Sequence, residues 1–90
     1  MNAHRRSVQV TNRRGLHARA SAKFVNTVHD LPCQVEVEKD GNIVTGTSIM
    51  GLMMLGAAMG DRITISCTGD GAEEALALLV ALVEGKFGEE

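Results

Sequence analysis

The apolar residues of this 90-residue chain repeatedly switch period between two and 3.6, and that alternation restricts the architectures open to it. Ser7 to Thr11 places Val8 and Val10 on one side, which predicts a strand. Ala18 to Val28 repeats at helical spacing through Ala20, Phe24 and Val28, and Leu31 and Pro32 close that helix. Cys33, Val35 and Val37 then alternate with Gln34, Glu36 and Glu38, a strand with a charged outer face. Asp40 and Gly41 signal a two-residue hairpin turn, with the return strand running from Asn42 to Gly46. Thr47 or Ser48 is in position to cap a short helix over Ile49 to Leu55, after which Gly56 and Gly60 let the chain leave. Ile63, Ile65 and Cys67 mark the last strand. Gly69, Asp70 and Gly71 turn into the longest helix, Ala72 to Glu84, where Leu76, Leu79, Val80 and Val83 form a buried stripe and Glu73 and Glu74 complement the dipole. The order βαββαβα predicts an α+β fold, an open two-layer sandwich of a four-stranded antiparallel sheet with three helices on one face.

Ninety residues with 44% hydrophobic content suffice for one domain over 1–90 but not for a second core. Residues 1–6 are expected to form a flexible tail. With two Phe, no Trp or Tyr and net charge −2, the chain lacks the stacking platforms and cationic excess of a nucleic-acid binder. No apolar run reaches the roughly 18 residues of a membrane span, and no signal-peptide region follows Met1 to Arg6, so a cytoplasmic protein without membrane contact is expected. Cys33 and Cys67 are too few for a disulfide framework or a metal pattern; both fall on apolar phases and read as reduced core thiols. Pro32 breaks any helical face shared by His29 and Cys33, so no metal is expected.

His17 carries the chemistry. It stands where strand period gives way to helix period, in the run Asn12-Arg13-Arg14-Gly15-Leu16-His17-Ala18-Arg19. The positive end of a helix disfavours a second charge on the ring and leaves one imidazole nitrogen free to attack phosphorus. The backbone N–H groups of Ala18, Arg19 and Ala20 and the guanidinium of Arg19 would then hold the phosphoryl oxygens. Charge distribution agrees: residues 1–29 hold six Lys or Arg and no acid, whereas residues 30–90 hold three against eleven acids. Arg13, Arg14 and Arg19 form a cationic rim that steers phosphate and acidic partner surfaces towards the ring.

The segment Gly46 to Leu55 has more large hydrophobes than one face of a two-turn helix can bury. Leu52 and Leu55 are expected inside and Ile49, Met50 and Met53 at the rim, an adaptable apolar patch for partners. Gly51 reads as a close-packing position. Ser48 is a cap whose hydroxyl is also where a helix best tolerates added phosphate.

These residues carry a resemblance. Gly15-Leu16-His17-Ala18-Arg19 and Thr47-Ser48-Ile49-Met50-Gly51 match the phosphohistidine and regulatory-serine motifs of the HPr family, the histidine phosphocarriers of the bacterial phosphoenolpyruvate-dependent phosphotransferase system. The likeness runs from Ser7 to about Phe87. It implies that His17 accepts a phosphoryl group on Nδ1 from enzyme I and passes it to a histidine of an enzyme IIA domain, with Arg19 stabilising the transferred charge. Ile49, Met50 and Met53, together with Arg14 of the cationic rim, are where partners are expected to dock, and a monomer is expected; the resemblance implies further that the carrier needs no cofactor and that HPr kinase/phosphorylase phosphorylates Ser48 where that enzyme exists. Family members usually have proline after the arginine; here Ala20 stands instead and keeps an N–H that proline lacks. The run from Glu73 to Phe87 resembles the nitrogen-related branch of the system more than the sugar-uptake branch. A different class of reading is a regulatory binding module acting through Ser48 and the Met patch, and a third is an accessory α+β domain with neither chemistry.

Overall fold

The computed structural model describes residues 3–89. In chain order it has β1 (Ala3–Gln9), α1 (Ala18–His29), β2 (Gln34–Lys39), β3 (Asn42–Thr45), α2 (Ile49–Met54), β4 (Arg62–Thr68) and α3 (Ala72–Glu84), followed by a 3-10 turn at Lys86–Gly88. The four strands make one antiparallel sheet ordered β1-β4-β2-β3, and three helices cover it as an open-faced sandwich, as the periodicity predicts.

The two faces of the sheet separate by the pleat. Val8 and Val10, Val35 and Val37, and Ile63, Ile65 and Cys67 point into the core, where Phe24, Leu52, Leu79, Val83 and Phe87 meet them. Each large side chain buried in this way contributes about 1.5–3 kcal/mol. The opposite face is a polar lattice. Arg5 Nε donates to Ser66 Oγ at 3.2 Å, Arg5 lies 3.6 Å from Glu38, and Arg62 Nε donates to Ser7 Oγ at 3.0 Å.

Three local details follow from the chemistry of their residues. Asp40 and Gly41 both adopt positive φ (53° and 84°), as a two-residue hairpin that matches strand twist requires, and Lys39 faces Asn42 across it. Ser48 is the cap that forms at α2, its Oγ accepting from Gly51 N–H at 2.9 Å. A Cβ on Gly51 would sit 3.1 Å from both Ser48 Oγ and Val44 Cβ, so the glycine lets α2 lie close on β3.

Two expectations are corrected. Residues 3–6 are strand rather than tail, because His4, Arg5 and Arg6 pair with Cys67, Ser66 and Ile65 of β4; Met1 and Asn2 lie outside the described residues. Cys33 sits before β2 and is only half-buried, packed against the edge of the core rather than within it, whereas Cys67 is fully buried. Burial pushes the Cys67 thiol up to about 11, with Cys33 beside it adding to the rise. A thiol held protonated in this way is a poor nucleophile.

Candidate functional site

The loop before α1 is shaped by Gly15. Its φ is +63°, and a Cβ there would lie 2.3 Å from the carbonyl oxygen of Ala57, so only glycine fits. The same carbonyl accepts from Leu16 N–H at 2.9 Å, which ties the loop to the segment leaving α2. On the other side, buried Ser21 donates its hydroxyl to Leu16 O at 3.2 Å. The backbone carbonyl of Asn12, also buried, accepts from Gly15 N–H at 3.2 Å, and its side-chain Nδ2 donates to Gly15 O at 2.8 Å.

His17 is thereby placed as the N-terminal cap residue of α1 in extended conformation (φ −74°, ψ −179°), with no hydrogen bond from its ring to the helix. The first helical bond runs from Ser21 N–H to His17 O at 2.9 Å, which leaves the amides of Ala18, Arg19 and Ala20 ahead of it. The ring is neither swallowed by the core nor remote from the helix end: its side chain keeps 17% exposure.

Its ring partner was not foreseen. His17 Nε2 lies 2.6 Å from Glu89 Oε2, and Asn12 Nδ2 donates to Glu89 Oε1 at 3.0 Å. The bond from His17 and then that from Asn12 hold the Glu89 carboxyl below its usual range. An ionised carboxylate only accepts, so Nε2 carries the proton and, in the neutral ring, Nδ1 keeps the lone pair. The turn that delivers Glu89 is held by burial of Phe87 and by Lys23 Nζ donating to Phe87 O at 2.7 Å.

A cavity of about 220 Å³ lies over the ring, lined by Arg13, Arg14, His17, Arg19 and Glu89. The structure thus gathers the three arginines of the sequence analysis around His17. A larger groove of about 480 Å³, between the end of α1 and β2, has His29 and Glu36 in its wall but no cluster of cations. Volume alone therefore does not mark the site.

Ser48 is half-buried at the start of α2. Beyond it Ile49, Met50 and Met53 are exposed at 39%, 68% and 40%, while Leu52 and Leu55 are buried, as the sequence predicts. Met54 extends the patch at 80% exposure.

A family model described as the PTS HPr component phosphorylation site matches residues 4–85. The chain belongs to the HPr family. It is 45% identical to the phosphocarrier protein HPr of Neisseria meningitidis over 94% of this chain and 96% of that protein. Its fold is similar to that of an HPr crystal structure from Thermoanaerobacter tengcongensis, with TM-score 0.92 and 45% identity over 97% and 98% of the two chains. An HPr structure from Bacillus anthracis gives TM-score 0.88 and 41% identity over 92% and 99%. HPr proteins are phosphocarriers of the phosphotransferase system. Among the described residues no helix is long and apolar enough to cross a membrane.

Proposed function

We propose that His17 relays a phosphoryl group between two proteins of the phosphotransferase system. Nδ1 attacks phosphorus on phosphorylated enzyme I and the bond from phosphorus to the donor nitrogen breaks as the new P–N bond forms; a histidine of an enzyme IIA domain then attacks the same phosphorus, and the bond to Nδ1 breaks as the group moves on. The observation that carries this reading is the single hydrogen bond from Nε2 to Glu89, which occupies one ring nitrogen and leaves the other as nucleophile. Arg19, the amides of residues 18–20 and the rim formed by Arg13 and Arg14 offer positive charge and donors where the phosphoryl oxygens develop and arrive. The carrier needs no cofactor for this exchange, acts as a monomer in the cytoplasm, and docks through Arg14 and the exposed Ile49, Met50 and Met53.

Incubation with phosphoenolpyruvate and enzyme I tests the proposal. The wild type should acquire an acid-labile, base-stable label and His17→Ala none; equal labelling of the two would refute it.

A second role rests on the cap. Ser48 Oγ already bonds Gly51 N–H, so a phosphate there would meet the start of α2 while adding about −1.5 to −2 charge beside the apolar patch. Phosphorylation by an HPr kinase/phosphorylase would then oppose acidic partners and slow transfer through His17.

A further inference from the structure

Asn12 belongs to neither motif, yet it joins both sides of the reacting centre. It is fully buried, and its one amide nitrogen donates to Gly15 O at 2.8 Å and to Glu89 Oε1 at 3.0 Å. Its own Oδ1 is buried without a partner among the described residues. The bond to Gly15 closes the loop on itself and does not reach the ring. The second bond is the one that reaches chemistry, because Glu89 Oε2 is 2.6 Å from His17 Nε2.

The backbone does not hold Glu89 in place unaided. Lys86, Phe87 and Gly88 all have positive φ (60°, 55° and 77°), conformations that Lys and Phe rarely adopt, so the turn depends on restraints from outside. Lys23 supplies one at Phe87 O. The charges facing the carboxylate are His17, Arg13, Arg14 and Arg19 around the cavity and Lys23 on α1. Among the described residues none of the arginines, nor Lys23, hydrogen-bonds Glu89, and charge at a distance attracts a carboxylate without orienting it. The N–H of Asn12 is directional: it takes Oε1 and turns Oε2 towards the ring.

We propose that Asn12 is a positioning residue for phosphoryl transfer, holding Glu89 so that its carboxylate keeps the proton of His17 on Nε2 and the lone pair on Nδ1. This deepens the carrier reading and rests on it for the consequence in rate, though not for the state of the ring.

The test compares wild type with Asn12→Ala, Glu89→Ala and the double variant, reading the imidazole ¹⁵N shifts of His17, the Glu89 carboxyl titration, and the kcat and KM of transfer from enzyme I. The wild-type ring should be mainly the Nε2–H tautomer, and Asn12→Ala should give a mixture. Glu89 should titrate at higher pH in Asn12→Ala, and kcat should fall on the order of 10- to 100-fold with KM little changed. Glu89→Ala, which alters only the last turn, should reproduce the mixed tautomer, and adding Asn12→Ala to it should cost no further rate. The proposal is overturned if Asn12→Ala lowers the unfolding temperature but leaves the ring spectrum unaltered, or if its loss of rate persists undiminished without Glu89. Should Asn12→Ala not fold, an unshifted tautomer in Glu89→Ala is by itself sufficient to overturn it. Tautomer control by Asn12 in a chain that accepts no label would reject the carrier reading alone.

Discussion

Replacing Gly15 with alanine sets a methyl group 2.3 Å from Ala57 O on a backbone with φ +63°. Strain at such a position costs about 1–3 kcal/mol, and relieving it moves Leu16 and His17 away from α1. Urea unfolding should show a loss of that size for Gly15→Ala, and the label on His17 should fall with it. Glu89 gives a residue-scale prediction in pH. Its carboxyl is held below the ordinary value of 4.5, first by the bond from His17 and then by that from Asn12. A carboxyl depressed in the folded state stabilises the fold above its unfolded value and loses that contribution as pH falls through its lowered folded value. Amide protection at Phe87 and Gly88 should therefore decline below about pH 4.5 while β4 amides stay protected. The motif residues of this site were legible because the reasons for them are local: a glycine for a positive φ, a histidine at a change of period, arginines nearby. Glu89 was not, because 72 positions separate it from His17 and no periodicity spans that interval. Only buried Asn12 at a polar loop and Phe87, one of two aromatics, offered any hint.

At the scale of elements, α2 has six residues and depends on its first turn. Ser48→Ala should cost about 1 kcal/mol by removing the acceptor for Gly51 N–H, visible as a lower unfolding temperature. Ser48→Asp keeps a capping oxygen and should unfold near the wild-type temperature, yet bind enzyme I more weakly in calorimetric titration. Unchanged affinity would separate the α2 surface from the docking surface. Helix and hairpin boundaries were readable to within a residue or two, since caps, Pro32 and the Asp40-Gly41 turn mark them chemically. The first strand begins at Ala3, earlier than its apolar alternation indicates. His4-Arg5-Arg6 has no apolar alternation, and its strand conformation comes from pairing with β4, a partner more than 50 residues away. The last turn is not legible in the sequence for a related reason, since Lys86 and Phe87 adopt left-handed backbone that their side chains do not favour.

Across the whole molecule, core and site are continuous through Phe87. Its ring is 1% exposed among core side chains, and two residues later the carboxylate of Glu89 meets His17. Phe87→Ala should cost about 3–5 kcal/mol, as deletion of a buried aromatic does. Beyond the lowered stability, it should loosen Glu89 and leave the His17 ring with mixed tautomers, which ¹⁵N spectra would detect at temperatures where the sheet is intact. A core change on β2 such as Val37→Ala should lower stability without that spectral change. The contact between His17 and Glu89 also bears on biosynthesis. A ribosome releases the histidine long before it adds the carboxylate, so a nascent or prematurely terminated product that stops short of Phe87 displays the reactive ring without the acid that orients it. The orientation of the ring is thus acquired only when the chain folds back through Phe87, so the tautomer of His17 reports whether that turn has closed.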